Sequence, residues 1–159
     1  MKNFTIRFPE GSRYTFDGME EQRIYELEGE EREQIAARLA ELLQAYPEIV
    51  GAWLHGSFYE GLPFHDIDIA LYVEPQSPAD ENPLDFMLKV ADDLERVIRY
   101  PVDVRIINRA PLNFQFYATA GRPLLMRDSE RCYELIESIR RMYWDFEPMA
   151  RQHLREVLS

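Results

Sequence analysis

The chain has a single cysteine, Cys132, so it contains no internal disulfide framework. A lone thiol with no activating arrangement around it suits a reducing compartment. No stretch approaches the roughly 18 consecutive apolar residues of a membrane span, and the N-terminus, MKNFTIRFPEG, has no apolar signal core. These absences lead us to expect a cytoplasmic protein without a membrane partner. Basic residues are also scarce. Against 29 Asp and Glu there are 18 Lys and Arg, a formal net charge of -11, and no basic run is longer than Arg140-Arg141. Affinity for polynucleotides depends on cations that neutralise phosphates, so this balance disfavours a nucleic-acid partner. No His or Cys cluster has zinc-site spacing, and neither a Walker-type G-x-x-x-x-G-K nor a G-x-G-x-x-G occurs.

What is present suits a folded globule. Apolar residues make up 46% of the 159, and aromatics 13%. Residues 3–8 (NFTIRF) and 13–17 (RYTFD) alternate apolar and polar side chains around Pro9-Glu10-Gly11, which predicts an N-terminal hairpin. An acid-rich stretch at 20–33 follows. Ile35, Leu39, Leu42, Leu43 and Tyr46 recur at helical spacing and predict an amphipathic helix over about 31–45, stopped by Pro47. Residues 49–55 (IVGAWLH) read as a buried strand, and 66–73 (DIDIALYV) as a strand of period two. A proline-bearing loop (EPQSPADENP) leads to a helix near 84–99, then a third core strand at 101–107 (PVDVRII). A short helix near 111–120, a β-segment at 122–126 and a long helix over about 129–157 complete the chain, with Pro148 expected to break or kink the last. The order helix, strand, strand, helix, strand predicts an α/β (α+β) fold, a small mixed sheet packed by helices. We expect a hairpin extension at 1–30, a central domain at 31–127 and a helical extension packed on it at 128–159.

Three pieces in fixed order carry chemistry: Gly56-Ser57, then Asp66-Ile67-Asp68, then Asp103. Residues i and i+2 of a strand project from one face, with Cα atoms roughly 6.6 Å apart. Asp66 and Asp68 thus present two carboxylates side by side, while Ile67 and Ile69 face the core and hold the register. Mg²⁺ prefers hard oxygen ligands and is commonly shared between carboxylates and substrate phosphates. A cation also relieves the repulsion of two like charges held close. If the third strand lies beside 66–73, Asp103 completes a three-carboxylate cluster as second-metal ligand or as acceptor of a proton from an attacking hydroxyl. Its alternative is a strand-end acid paired with Arg105. Gly56 allows close backbone approach, and Ser57 sits where a strand meets a helical turn, a place where N–H groups and a hydroxyl cradle phosphate oxygens. His55 reads as a packed strand-end residue and His65 as a solvated loop residue. Each piece alone is common; their combination is not.

That combination, HGSFYEGLPFHDIDIALYVE followed by VDVRIINRAPLNFQFYATAGRPLLMRD, resembles the minimal nucleotidyltransferase (MNT) domains of the DNA polymerase β-like superfamily. The resemblance covers roughly residues 32–127, which it makes the nucleotidyltransferase domain. It implies a nucleoside triphosphate such as ATP as donor, Mg²⁺ as cofactor, and transfer of a nucleoside monophosphate. By position it assigns Gly56 and Ser57 to phosphate holding, Asp66 and Asp68 to metal binding, and Asp103 to the third acid. Two features depart from the family pattern: a loop of only eight residues between Ser57 and Asp66, and His65 where serine is more usual. Many MNT proteins are encoded beside a partner with a HEPN domain and serve there as antitoxins, some by adenylylating the partner. The resemblance therefore implies a HEPN-domain partner. The alternative is a non-catalytic module of the same fold that masks its partner. Tyr133, Ile136, Ile139, Met142, Tyr143 and Phe146 form a stripe on the last helix that either covers the core or meets a partner. Homo-oligomerisation is left open.

Overall fold

In the computed structural model, the backbone is described for residues 4–7, 12–17 and 20–159, and side chains from residue 23 onward. Two strands, β1 (Phe4–Arg7) and β2 (Ser12–Asp17), pair antiparallel, as the alternation predicts. The expected Pro9-Glu10-Gly11 turn lies outside the described residues. A third strand, β3 (Glu20–Tyr25), adds antiparallel to β2. It falls in the acid-rich stretch and has no period-two pattern of its own, so its extended form rests on pairing with β2 rather than on local sequence.

The central sheet is assembled from four segments. Helix α1 (Gly29–Leu43) precedes β4 (Ile49–His55), and a single helical turn, α2 (Gly56–Tyr59), follows. Then come β5 (Ile67–Val73), the short α3 (Pro78–Glu81), α4 (Pro83–Ile98) and β6 (Val102–Ile106). The chain closes with α5 (Leu112–Thr119), β7 (Arg122–Met126) and α6 (Ser129–Leu158). The strand order is β6-β5-β4-β7, with β5 and β6 parallel and the other pairs antiparallel, so the sheet is mixed as expected.

The strands read as their composition dictates. Strand β4 is buried on both faces through Leu54, which explains its unbroken apolar run. In β5 the predicted inward set, Ile67, Ile69, Leu71 and Val73, is fully buried. These residues join Leu39, Leu43, Val90 and Leu94 of α1 and α4 in one core layer. The opposite face buries Trp53 and Ala70 against Ala118, Cys132 and Ile136 of α5 and α6. The result is helices on both faces of one sheet.

Two helical readings change. The proline-bearing loop contains α3, where Ser77 caps the turn by accepting from the Asp80 N–H and Pro78 takes the first helical position. Helix α6 runs through Pro148 without a break, one of the two outcomes, break or kink, expected there from sequence. Proline removes one link of the hydrogen-bond ladder there, and the turns on either side continue the helix.

Candidate active site

The site grows from one row across three strands. His55 at the end of β4 stands opposite Asp68 in β5, and Asp68 stands beside Asp103 in the parallel β6. Asp66 lies one residue before β5, in the bend that enters it. The pairing of β5 with β6, which sequence could only suppose, brings the acids together. One carboxylate oxygen each from Asp66, Asp68 and Asp103 lie within 4.8 Å of one another. Asp103 also pairs with Arg105, whose Nε donates to Asp103 Oδ2 at 3.2 Å. Asp103 thus belongs to the carboxylate cluster and to an ion pair at once.

Gly56 lies directly beneath this cluster. Its φ of +77° is a left-handed conformation, and a Cβ there would stand 2.2 Å from Asp68 Oδ2. Glycine is therefore what lets the turn after β4 pass under the carboxylate. Ser57 is the second residue of α2, half-buried at the same turn.

The electrostatics agree with a cation site. Burial, followed by the charges of Asp66 and Asp103, pushes the Asp68 carboxyl up to about 6. Asp66 is raised as well, first by burial and then by Asp103. Arg105 opposes both shifts without cancelling them. Three hard oxygen donors that repel one another are the donor set that fits Mg²⁺. His55, half-buried with its ring edge-on to Phe114 at 5.5 Å, is held below its ordinary pKa, chiefly by burial. It therefore stays neutral at neutral pH. His65 is exposed, with Nδ1 2.9 Å from the Arg23 carbonyl oxygen.

Sequence reading missed two features of the site. The first is Arg32 on α1. Its guanidinium donates to the carbonyls of Leu27, Phe58 and Leu62 at 2.7–2.9 Å and lies over the rings of Phe58 and Phe64. It braces the short loop between Ser57 and Asp66, and backbone bonds between Tyr25 and Phe64 hold the loop from the side of β3. No local pattern marks an arginine that caps carbonyls about 30 residues away in the chain. The second is a cavity of about 650 Å³ beside the triad, lined by Asp103, Arg105, Met87, Leu88 and Phe114 among others. It exists only because α4 and the start of α5 flank β6.

A mixed sheet with a Gly-Ser turn under three converging carboxylates defines the class of nucleotidyl-transfer folds. Residues 37–131, more than half of the chain, match the family described as Polymerase beta, Nucleotidyltransferase. The protein belongs to that family and is a nucleotidyltransferase. Among solved structures, a complex of tri-AMPylated Shewanella oneidensis HEPN toxin with MNT antitoxin holds a similar chain. The similarity covers 80% of this chain and 99% of that one, with 15% identity and a TM-score of 0.62. The toxin-antitoxin MntA-HepT is similar at 15% identity and TM-score 0.61, over 80% of this chain and 99% of the other. A toxin-antitoxin structure with AMP-PNP is similar at 16% identity and TM-score 0.63, over 78% and 98% of the two chains. At such identities the likeness is one of fold. No curated protein matches the sequence.

Proposed function

We propose that this protein is a Mg²⁺-dependent adenylyltransferase that moves AMP from ATP onto a hydroxyl of a protein acceptor, as the antitoxin of a HEPN/MNT pair. The observation that carries this reading is the convergence of the Asp66, Asp68 and Asp103 carboxylates within 4.8 Å above Gly56. Asp66, Asp68 and Asp103 would hold the metal, which would supply positive charge against the carboxylates and the phosphates. Gly56 and Ser57 hold the triphosphate through the N–H groups and hydroxyl of the turn. The acceptor oxygen attacks the α-phosphorus and pyrophosphate leaves, while the hydroxyl proton passes to Asp103. We place the acceptor in the cavity that opens beside Asp103.

A protein acceptor suits the net charge of -11, which opposes polynucleotides. The AMPylated HEPN toxin and the AMP-PNP of the structurally similar complexes point the same way. The transferase unit is taken as residues 31–127, with 1–30 and 128–159 as extensions, and the protein is placed in the cytoplasm. Among the described residues no helix is long and apolar enough to cross a membrane.

Thermal unfolding with and without ATP and Mg²⁺ tests this reading in the wild type and in Asp66→Asn/Asp68→Asn. Ligand at a hundred times its dissociation constant adds about 2.7 kcal/mol. That is a midpoint rise of roughly 5–10 °C for a domain of this size. The rise is expected in the wild type alone and only with Mg²⁺. No rise at saturating nucleotide would sink the enzyme mechanism and leave a module that acts by masking its partner.

A further inference from the structure

A triphosphate brings further negative charge to a site that already holds three carboxylates, in a chain of net charge -11. A bound cation offsets part of that charge, and fixed positive charge on the protein offsets more. Among the described residues, the cationic side chain that lines the cavity beside the triad is Arg105. It follows Asp103 by two residues in β6, so both side chains stand on one face of the strand.

Two contacts set the orientation of its guanidinium. Nε donates to Asp103 Oδ2 at 3.2 Å, and Cζ lies 5.4 Å from the centre of the Phe114 ring. Phe114 is steadied in turn by the ring of His55, which packs nearly at right angles to it. These contacts use the inner nitrogen and one face of the group. Among the described residues, the terminal nitrogens Nη1 and Nη2 meet no acceptor. Other arginines are spent on the fold itself. Arg32 gives three nitrogens to backbone carbonyls, and Arg131 gives both terminal nitrogens to Glu74. Arg105 instead holds an open fork in the cavity wall, its side chain 61% exposed. A planar pair of N–H donors matches the oxygens of a phosphate. Its charge is also felt across the site, where it draws the Asp66 and Asp68 carboxyls down against the burial that raises them.

We propose that Arg105 is a catalytic residue that grips the α-phosphate of the bound nucleotide through Nη1 and Nη2 while Asp103 holds its Nε. The inference rests on the nucleotidyl-transfer reading of the site. The choice among the three phosphates follows from the tether. The acid that takes the acceptor proton stands beside the phosphorus under attack, and Arg105 is bound to that acid. As the acceptor oxygen bonds to the α-phosphorus, the bond to the bridging oxygen breaks and pyrophosphate leaves, while the acceptor proton passes to Asp103. Charge on the non-bridging α-oxygens then meets a guanidinium already in place.

Calorimetric titration of the full chain tests it, with Mn²⁺ as the metal because it accepts sulfur more readily than Mg²⁺ does. Arg105→Gln should weaken ATP binding about tenfold or more, through the loss of charge-assisted bonds. The same variant should bind Mn²⁺ alone about threefold more tightly, because a positive charge beside the carboxylates has gone. A side chain that merely supports the carboxylates would weaken both, and that result overturns the proposal. In the wild type, one α-thio diastereomer of ATP should bind several-fold more weakly than ATP, whereas Arg105→Gln should bind the two alike. Arg105→Lys should keep the wild-type affinity for Mn²⁺ and recover only part of that for ATP. ATP binding unchanged in Arg105→Gln overturns the inference and leaves the transferase reading standing. A thio penalty that survives in Arg105→Gln does the same, since it assigns the α-oxygen to another donor. A wild type that binds no ATP in the presence of metal overturns the reading of the site, and this inference with it.

Discussion

At the scale of single residues, the site is a balance between repulsion and its relief. Burial and the charges of Asp66 and Asp103 push the Asp68 carboxyl up to about 6, against an ordinary 3.8. A carboxyl whose folded pKa lies above its unfolded value opposes folding once it ionises. Its contribution to stability is therefore full below about pH 4 and lost as pH rises through about 6. Metal binding needs the ionised form, so affinity moves the other way. Calorimetric titration with Mg²⁺ should show clearly weaker binding at pH 5.5 than at pH 7.5, and Asp68→Asn should weaken binding at both and leave only the part of the dependence that the raised Asp66 contributes. Binding that is flat across that range would mean Asp68 is no ligand. Gly56 is the second residue on which the site turns. Gly56→Ala forces a Cβ toward the Asp68 carboxylate at a positive φ. The strain should cost about 1–3 kcal/mol, lowering the melting midpoint and displacing Asp68. A fully stable, metal-binding Gly56→Ala would contradict the close packing described here.

At the scale of elements, the short loop between Ser57 and Asp66 is held by structure outside the motif. Arg32 supplies three hydrogen bonds from α1, and β3 contributes backbone bonds through Tyr25. A loop tied by such partners has little freedom to drift from the carboxylates, so its brevity is matched by bracing. Arg32→Met keeps much of the apolar stem but leaves the Leu27, Phe58 and Leu62 carbonyls without their donor. A loss of about 2–4 kcal/mol in denaturant unfolding follows from bonds to a charged donor. Nucleotide binding should weaken in the same variant, because Ser57 and Asp66 bound the loop that Arg32 anchors. Unchanged unfolding would show that the loop holds itself.

At the scale of the whole molecule, two core layers on opposite faces of one sheet fix the row of acids. Ile67, Ile69 and Leu71 press into the layer under α1 and α4, and that burial leaves Asp68 on the other face at the sheet's end. Slipping β5 by one residue would turn those three side chains into the layer under α5 and α6 and swing the carboxylates toward the layer under α1 and α4, so register and site stand or fall together. The surplus of acid over base acts at this scale as well. A net charge of -11 repels other polyanions at long range.

Much of this was legible in the chain itself. The apolar alternation of 66–73 decided a strand with its acids on one side, because a period of two leaves no other face for them. The unbroken run of 49–55 decided a central strand, since only a strand buried on both sides tolerates apolar residues throughout. Gly56-Ser57, the D-x-D and Asp103 stood out by type and spacing, and 37–131 proved to be the family's own segment. What sequence could not decide was every relation set by distance in space. Strand β3 has no alternation and exists by pairing with β2. The carbonyls that Arg32 satisfies are brought to it by the fold, and the cavity beside Asp103 is the gap left where α4 and α5 meet β6. The parallel pairing of β5 with β6 turned three separate acids into one cluster. Local patterns determine which face a side chain takes, because that is settled by the next few residues; which side chains meet is settled by the packing of segments that the chain keeps far apart.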